Sequence, residues 1–124
     1  MTIIEAITNT DNLKRNSYSQ KEKIVWLNKL DGMVKRLVLD THEGSDSSAF
    51  TGYTEHTPLS TELLIPEPFT DVYQRWLEAQ IDLANGEYGK YNASITLFDE
   101  AWEAYTNDYH RKHKPIGGGR RFLF

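Results

Sequence analysis

The segment YGKYNASITLFDEAWEAYTNDYHRK, residues 88–112, decides the fold class of this chain. Its aromatic and aliphatic residues recur at alternating spacings of 3 and 4, the period of one face of an α-helix. No proline interrupts the segment, so the pattern predicts a helix from Tyr88 to Lys112, about 37 Å long. We interpret the apolar face as core packing; a stacking surface for bases or sugars is the alternative. The residues of this stripe are Tyr88, Tyr91, Ile95, Phe98, Trp102, Tyr105 and Tyr109.

The helix before this segment is expected to form a hairpin with it. A broad apolar arc at helical spacing begins after Pro68 and ends at Asn85-Gly86, where glycine accepts the left-handed conformation that closes a helix. Because the connection between the two helices is so short, they should be antiparallel neighbours at the centre of the protein. Trp76, Phe98 and Trp102 are predicted to be among the largest buried side chains of this hairpin.

Two further helices are predicted in the first part of the chain. The apolar residues between Thr2 and Leu13 indicate a short helix that packs on the hairpin. Ser19 and Glu22 form the Ser-x-x-Glu pattern of a capping box, and the helix that starts there continues to Val38. Gly32 lies inside this helix, and we interpret it as a close-packing point or a slight bend, not as a boundary.

The segment from about residue 41 to 66 is rich in Gly, Ser, Thr and Pro and has little helical period. Phe50, Tyr53 and the run Leu63-Leu64-Ile65 supply apolar anchors, so the segment should lie on its own helices or on a neighbouring subunit. The sequence thus predicts an all-α fold: a small bundle of about four helices with a long irregular loop and an extended C-terminal tail. Residues 1–115 form the helical domain, and residues 116–124 form a flexible docking arm.

Charge is distributed unevenly along the chain, whose net charge is −4. All 18 acidic residues lie at or before Asp108, whereas Arg111, Lys112, Lys114, Arg120 and Arg121 make the C-terminus basic. The stretch between Arg36 and Arg75 contains no Lys or Arg, and this acidic middle and the basic tail are candidates to meet. An acidic body disfavours nucleic-acid binding by the whole domain.

Cysteine is absent from the chain, which excludes disulfides and thiolate metal sites and fits a protein made in a reducing cytoplasm. No apolar run approaches the ~20 residues of a membrane-spanning helix, and Met1–Glu5 does not resemble a signal sequence. We therefore expect a protein without a membrane partner.

The sequence contains only weak candidates for catalytic or ligand-binding motifs. His110 and His113 could share one side of a helix and bind a metal, but no acidic residue follows at ligand spacing and the neighbouring residues are basic. Ser60 and Ser94 belong to no nucleophile motif, and the triple glycine lacks the strand and helix that flank a phosphate-binding loop. We predict that the chain is not an enzyme and has no catalytic, cofactor or metal site.

Four strings carry a resemblance to a known family: residues 52–54 (GYT), 61–66 (TELLIP), 76–82 (WLEAQID) and 85–92 (NGEYGKYN). The chain resembles the head-tail connector proteins, also called adaptor or head-completion proteins, of tailed phages and prophages of Gram-positive bacteria. The resemblance runs from about Ile3 to Phe124, and its motifs are signatures of helix and loop packing without a catalytic residue. The sequence departs from the family pattern in the triple glycine of its tail.

The resemblance implies a virion structural protein of the phage neck. Such a subunit joins a ring, usually twelvefold, beneath the portal protein, extends the DNA channel and links the capsid to the tail. Its partners would be the portal protein, neighbouring copies of itself, the next neck or tail-completion protein and packaged DNA, which passes through without sequence-specific contact. A small phage-encoded regulatory or DNA-associated helical protein is the alternative.

Seven residues are predicted to contact these partners. Phe122, Leu123 and Phe124 follow a glycine hinge and have little reason to face water. The five tail residues should form the main docking element, and the anchors of the long loop should add a second contact. The full set is Arg120, Arg121, Phe122, Leu123, Phe124, Phe50 and Tyr53.

Overall fold

A computed structural model describes residues 1–44 and 50–116 of the chain. Within these residues the fold is all-α, with four α-helices, one π-helical turn and two isolated antiparallel bridges, Thr2 to Glu62 and His42 to Pro115. The predicted bundle is confirmed, and the docking arm, residues 116–124, lies outside the described residues except for Ile116. The helices are α1 (Ile3–Leu13), α2 (Gln20–Met33), α3 (Asp71–Ala84) and α4 (Tyr88–Lys112), and the π-helical turn (Val34–Leu39) directly follows α2.

Capping boxes start the first two helices. The hydroxyl of Ser19 accepts a hydrogen bond from the Glu22 amide at 3.1 Å, and the Glu22 carboxylate accepts one from the Ser19 amide, as the sequence predicts. Thr2 and Glu5 form a second box at the start of α1, which sequence inspection missed. Each box supplies partners for amides that a helix leaves unpaired at its first turn.

Gly32 is inside a continuous helical segment, so the prediction that it is not a boundary is confirmed. It is not a close-packing point, however, because a Cβ atom built at this position would meet nothing within 4 Å. The change in helix geometry comes at Val34, where the chain enters the π-helical turn. The Asp40 amide closes that turn by donating to the Lys35 carbonyl at 2.8 Å. This acceptor is five residues before the donor, whereas in an α-helix it is four residues before.

The α3–α4 hairpin is the centre of the fold, as predicted. Gly86 has a φ of 74° and reverses the chain, while the Glu87 amide donates to the Asp82 carbonyl at 3.0 Å. Helix α3 contacts each of the other three α-helices, which explains its broad apolar arc. Its buried residues are Val72, Tyr73, Trp76, Leu77, Ala79, Ile81 and Asp82.

The aromatic stripe of α4 is fully buried at two of its residues, and its other members in contact with the core, Ile95, Trp102 and Tyr109, are partly buried. Phe98 and Tyr105 are buried, and the Phe98 ring lies 5.0 Å from the ring of Trp76. Tyr88, at the start of the helix, is 65% exposed. Trp102 is half-buried and not among the largest buried side chains, because one side of it borders a groove described below.

The long loop lies on its own helices over its described part. Leu63 and Ile65 are buried in the core. Next to them, the Leu63 amide donates to the Met1 carbonyl at 2.9 Å and the Ile3 amide donates to the Thr61 carbonyl at 3.1 Å. The loop therefore completes the core around the start of α1.

Asp31 of α2 joins this loop to the bundle. Its buried carboxylate accepts hydrogen bonds from the hydroxyls of Tyr53 and Tyr73, at 2.5 and 2.6 Å, and from the Leu64 amide at 3.1 Å. The Tyr73 hydroxyl in turn accepts a hydrogen bond from the Ile65 amide at 2.7 Å. Burial raises the pKa of Asp31, and the three donors act in the opposite direction because they favour the ionised form.

A second buried carboxylate, that of Asp82, ties α1 to the hairpin. It accepts hydrogen bonds from the Lys14 ammonium at 2.7 Å and from the Ser94 hydroxyl at 2.5 Å. Burial would raise the pKa of Asp82, but these two hydrogen bonds and the charge of Lys14 together lower it. The hairpin end of the bundle is thus held by a paired, hydrogen-bonded charge.

Truncation of the two neighbouring aromatic residues of α4 should have unequal effects. We expect Phe98→Ala to reduce the free energy of unfolding by about 3–5 kcal/mol, since it empties a core site. Trp102→Ala should cost about 2 kcal/mol, because that side chain is only partly buried. Chemical denaturation measures both values, and an equal or larger loss for Trp102 would contradict the described burial.

Candidate docking groove at the end of the long helix

A groove of about 330 Å³ lies between the π-helical turn and the last turns of α4. The turn provides Leu37, whose side chain is 58% exposed, and Trp102 provides an aromatic wall from α4. Polar side chains line the end of the groove that is nearer the end of α4. The lining residues are Leu37, Val38, His42, Trp102, Thr106, Asn107 and His110.

The π-helical turn explains why an apolar side chain is exposed here. Val34 and Val38 of the turn are buried, so the backbone presents these two residues to the core. Leu37 belongs to the same turn but points away from the core, into the groove. Single π-helical turns of this kind are frequent at functional sites.

Two histidines form the polar end of the groove. The Nδ1 atom of His42 lies 2.7 Å from the Val38 carbonyl oxygen, which can only accept, so Nδ1 carries a proton. The Nε2 atom of His42 lies 3.1 Å from Nδ1 of His110. With His42 neutral, Nε2 accepts this hydrogen bond and His110 donates it.

His113 is not part of this histidine pair. Its ring stacks on Tyr109 with a centroid distance of 3.9 Å, and its Nδ1 atom lies 3.1 Å from the Tyr109 carbonyl oxygen. The pair suggested by sequence spacing, His110 with His113, is thus replaced by His110 with His42. Across residues 1–44 and 50–116, no group of three or more His, Cys, Asp or Glu side chains is arranged to hold a metal ion.

The end of α4 and the start of the long loop are joined by their backbones. The Glu43 amide donates to the Lys114 carbonyl, and the Ile116 amide donates to the Thr41 carbonyl, each at 2.7 Å. The acidic middle and the basic C-terminal region therefore meet within one chain at this point. The contact between them is made by backbone groups around the His42–Pro115 bridge.

The loop residues predicted to bind partners are anchors of the chain itself. Tyr53 is 8% exposed and donates to Asp31, and the half-buried ring of Phe50 lies 5.1 Å from the Tyr53 ring in an edge-to-face arrangement. Their contact with a partner stays a prediction. The tail set, Arg120–Phe124, lies outside the described residues.

Large apolar side chains are exposed at both ends of the bundle. Leu13 and Tyr88 lie at the hairpin end, next to the ion pair between Lys14 and Asp82. Leu37 lies at the opposite end, in the groove. None of the helices in the described ranges combines the length and apolar character that a bilayer span requires.

Sequence reasoning missed the groove because its walls come from segments far apart in the chain. His42 and His110 are 68 positions apart, and no local pattern marks them as partners. One local feature could have indicated the groove: Trp102 is followed one turn later on α4 by the polar residues Thr106 and Asn107, which is unusual for a face buried in the core.

Comparison of the chain with protein-family models, with curated proteins and with solved structures finds no significant match in any of the three. A function for the chain is therefore inferred from the geometry described above and from the resemblance carried by the four sequence strings.

The two histidines of the groove should contribute unequally to stability. We expect His42→Ala to cost about 1–3 kcal/mol, because it removes the buried donor to Val38 and the ring between α4 and the turn. His110→Ala should change the free energy of unfolding by less than about 1 kcal/mol, since that side chain is exposed.

His42→Asn is the matched control, because its side-chain amide can replace the Nδ1 donor. Partial recovery of the melting temperature relative to His42→Ala is expected. A larger loss in His110→Ala than in His42→Ala would contradict this description of the pair.

Proposed function

We propose that the chain is a structural subunit of a phage neck, a head-tail connector that forms a ring beneath the portal protein. In that ring it would extend the DNA channel and link the capsid to the tail. The proposal starts from the resemblance of residues 52–54, 61–66, 76–82 and 85–92 to connector proteins. The structure supports it through the positions of its exposed apolar side chains.

The observation that carries the proposal is that large apolar side chains are exposed at both ends of a helix about 37 Å long. Leu13 and Tyr88 lie near one end of α4, and Leu37 and Trp102 border the groove near the other. A subunit in a ring uses two different surfaces to contact its neighbours, because ring closure requires head-to-tail contacts. Further exposed apolar side chains lie on α1, α2 and the middle of α4 (Ile4, Val25 and Leu97), so the subunit has apolar residues on more than one surface for such contacts.

The loop anchors give such a subunit a preformed shape. Tyr53, Leu63 and Ile65 bury the loop against the bundle, and Asp31 supplies its hydrogen-bond acceptor. Ordering a long loop at the moment of assembly would subtract from binding energy, whereas residues 50–66, which are already packed, incur no such cost. The fold therefore suits assembly of rigid subunits.

The charge of the chain fits a channel through which DNA must pass. A net charge of −4 repels phosphates, so the bundle would not hold packaged DNA in place. Contact with DNA would be without sequence specificity, as the resemblance implies.

The C-terminal residues are the proposed element that docks on the portal protein. Ordering the hinge Gly117–Gly119 costs roughly 1–2 kcal/mol per residue, so compensating contacts must come from residues beyond it. Burial of Phe122, Leu123 and Phe124 would return about 1.5–3 kcal/mol each. Arg120 and Arg121 would steer the encounter with an acidic rim.

A stop codon early in the gene, introduced into the phage or prophage that encodes it, tests this function. We expect DNA-filled heads and separate tails to accumulate, because each can assemble without the joint between them. Electron microscopy counts joined and separate particles. The wild-type gene supplied in trans is the control and should restore joined particles.

Immunogold labelling of intact virions with an antibody to the chain localises the protein. Label at the head-tail junction is the expected result. Normal virions from the stop-codon phage, or label confined to unassembled protein in the lysate, would overturn the proposal and favour a regulatory protein.

A further inference from the structure

The groove between the π-helical turn and α4 lies where the described chain ends. Ile116 is fixed by its amide to the Thr41 carbonyl at 2.7 Å, and Pro115 bridges to His42, which lines the groove. The backbone therefore carries the chain, as far as Ile116, to the rim of the groove and fixes it there. Eight residues, 117–124, follow this point.

We infer that this groove binds the C-terminal residues Phe122–Phe124 of the same chain. Trp102 and the exposed Leu37 offer apolar and aromatic contact surface, and two of the three tail residues are aromatic. The groove volume of about 330 Å³ is at the lower end of the range of small-molecule pockets, enough for one or two large side chains.

The tail is long enough to reach every part of the groove. Trp102 and His110 are separated by about 12 Å along α4. Eight residues span at most about 26–29 Å when extended, so the chain can reverse after Ile116 and run back along the helix. That reversal is permitted by the three glycines 117–119, because glycine adopts positive and negative φ angles with similar ease.

The charges of the tail and of α4 also favour a tail that runs back along the helix. Asp99, Glu100 and Glu103 are exposed carboxylates on the turns of α4 that flank Trp102. Arg120 and Arg121 directly precede the apolar residues, so a tail in the groove would carry its two cations along an acidic helix. The same two cations would meet the basic side chains of Arg111 and Lys112 if the tail stayed at the end of α4.

The chain's own tail has an advantage over the tail of a second copy. A short flexible linker keeps a tethered segment at an effective concentration in the millimolar range, well above micromolar protein in solution. The inference concerns the isolated chain and does not depend on the proposed function. In a particle, a portal protein that binds the tail would have to displace it from the groove.

Engineered cysteine pairs test this docking cleanly, because the chain has no cysteine of its own. The full-length double variant Thr106→Cys, Leu123→Cys places one thiol in the groove and one in the tail. We expect it to form an intrachain disulfide about tenfold faster than a control pair under mild oxidation at micromolar concentration. Mass spectrometry under non-reducing conditions separates monomeric from dimeric products.

The matched control is Ala104→Cys, Leu123→Cys, which moves the helix thiol to an exposed position about 200° around α4. A third variant adds Phe122→Ser and Phe124→Ser to the groove pair and should lower its rate to that of the control. Equal rates for the groove pair and its control would overturn the inference. A groove pair that gives mainly dimers would overturn it too, since the tail would then dock on a second copy.

Discussion

The arrangement of the long loop against α2 and α3 depends on the hydrogen bonds that the buried carboxylate of Asp31 accepts. This carboxylate accepts hydrogen bonds from Tyr53 and Leu64 of the long loop and from Tyr73 of α3, so one side chain of α2 fixes both the loop and α3. Removing that acceptor would leave buried donors unpaired, at about 1–3 kcal/mol for each. Hydrophobic burial of Leu63 and Ile65 holds the loop near the core, and the hydrogen bonds select its register.

The position of the anchored loop also determines which surface stays open. The described loop residues 50–66 pack on the core formed with α1, α2 and α3, and none of them lines the groove beside α4. Helix α4 is 25 residues long, whereas its hairpin partner α3 is 14, so the last turns of α4 extend past α3. There α4 meets the π-helical turn and His42 instead, and Trp102 is left half-covered. The candidate docking groove follows from this difference in length.

The helices could be predicted because their signals are local. Ser19 with Glu22, Asn85-Gly86 and the aromatic spacing after Tyr88 each specify structure within a few residues. The groove and the Asp31 contacts could not, since the partners of Asp31 are 22, 33 and 42 positions away. A usable hint was present: Asp31 stands four residues after Leu27 on the buried side of α2, where a carboxylate needs donors. The π-helical turn at Val34 has no sequence signature of this kind. The sequence suggests a close-packing point or a slight bend at Gly32, whereas the helix geometry changes two residues later.

Amide hydrogen exchange in an Asp31→Asn variant tests most directly whether this carboxylate anchors the loop. The amide side chain keeps the size of the carboxylate but cannot accept at both oxygen positions. The account predicts that protection of the Leu64 and Ile65 amides falls about tenfold or more, while amides around Phe98 in α4 keep theirs. Unchanged protection at Leu64 and Ile65, or an equal loss at all positions, would contradict it.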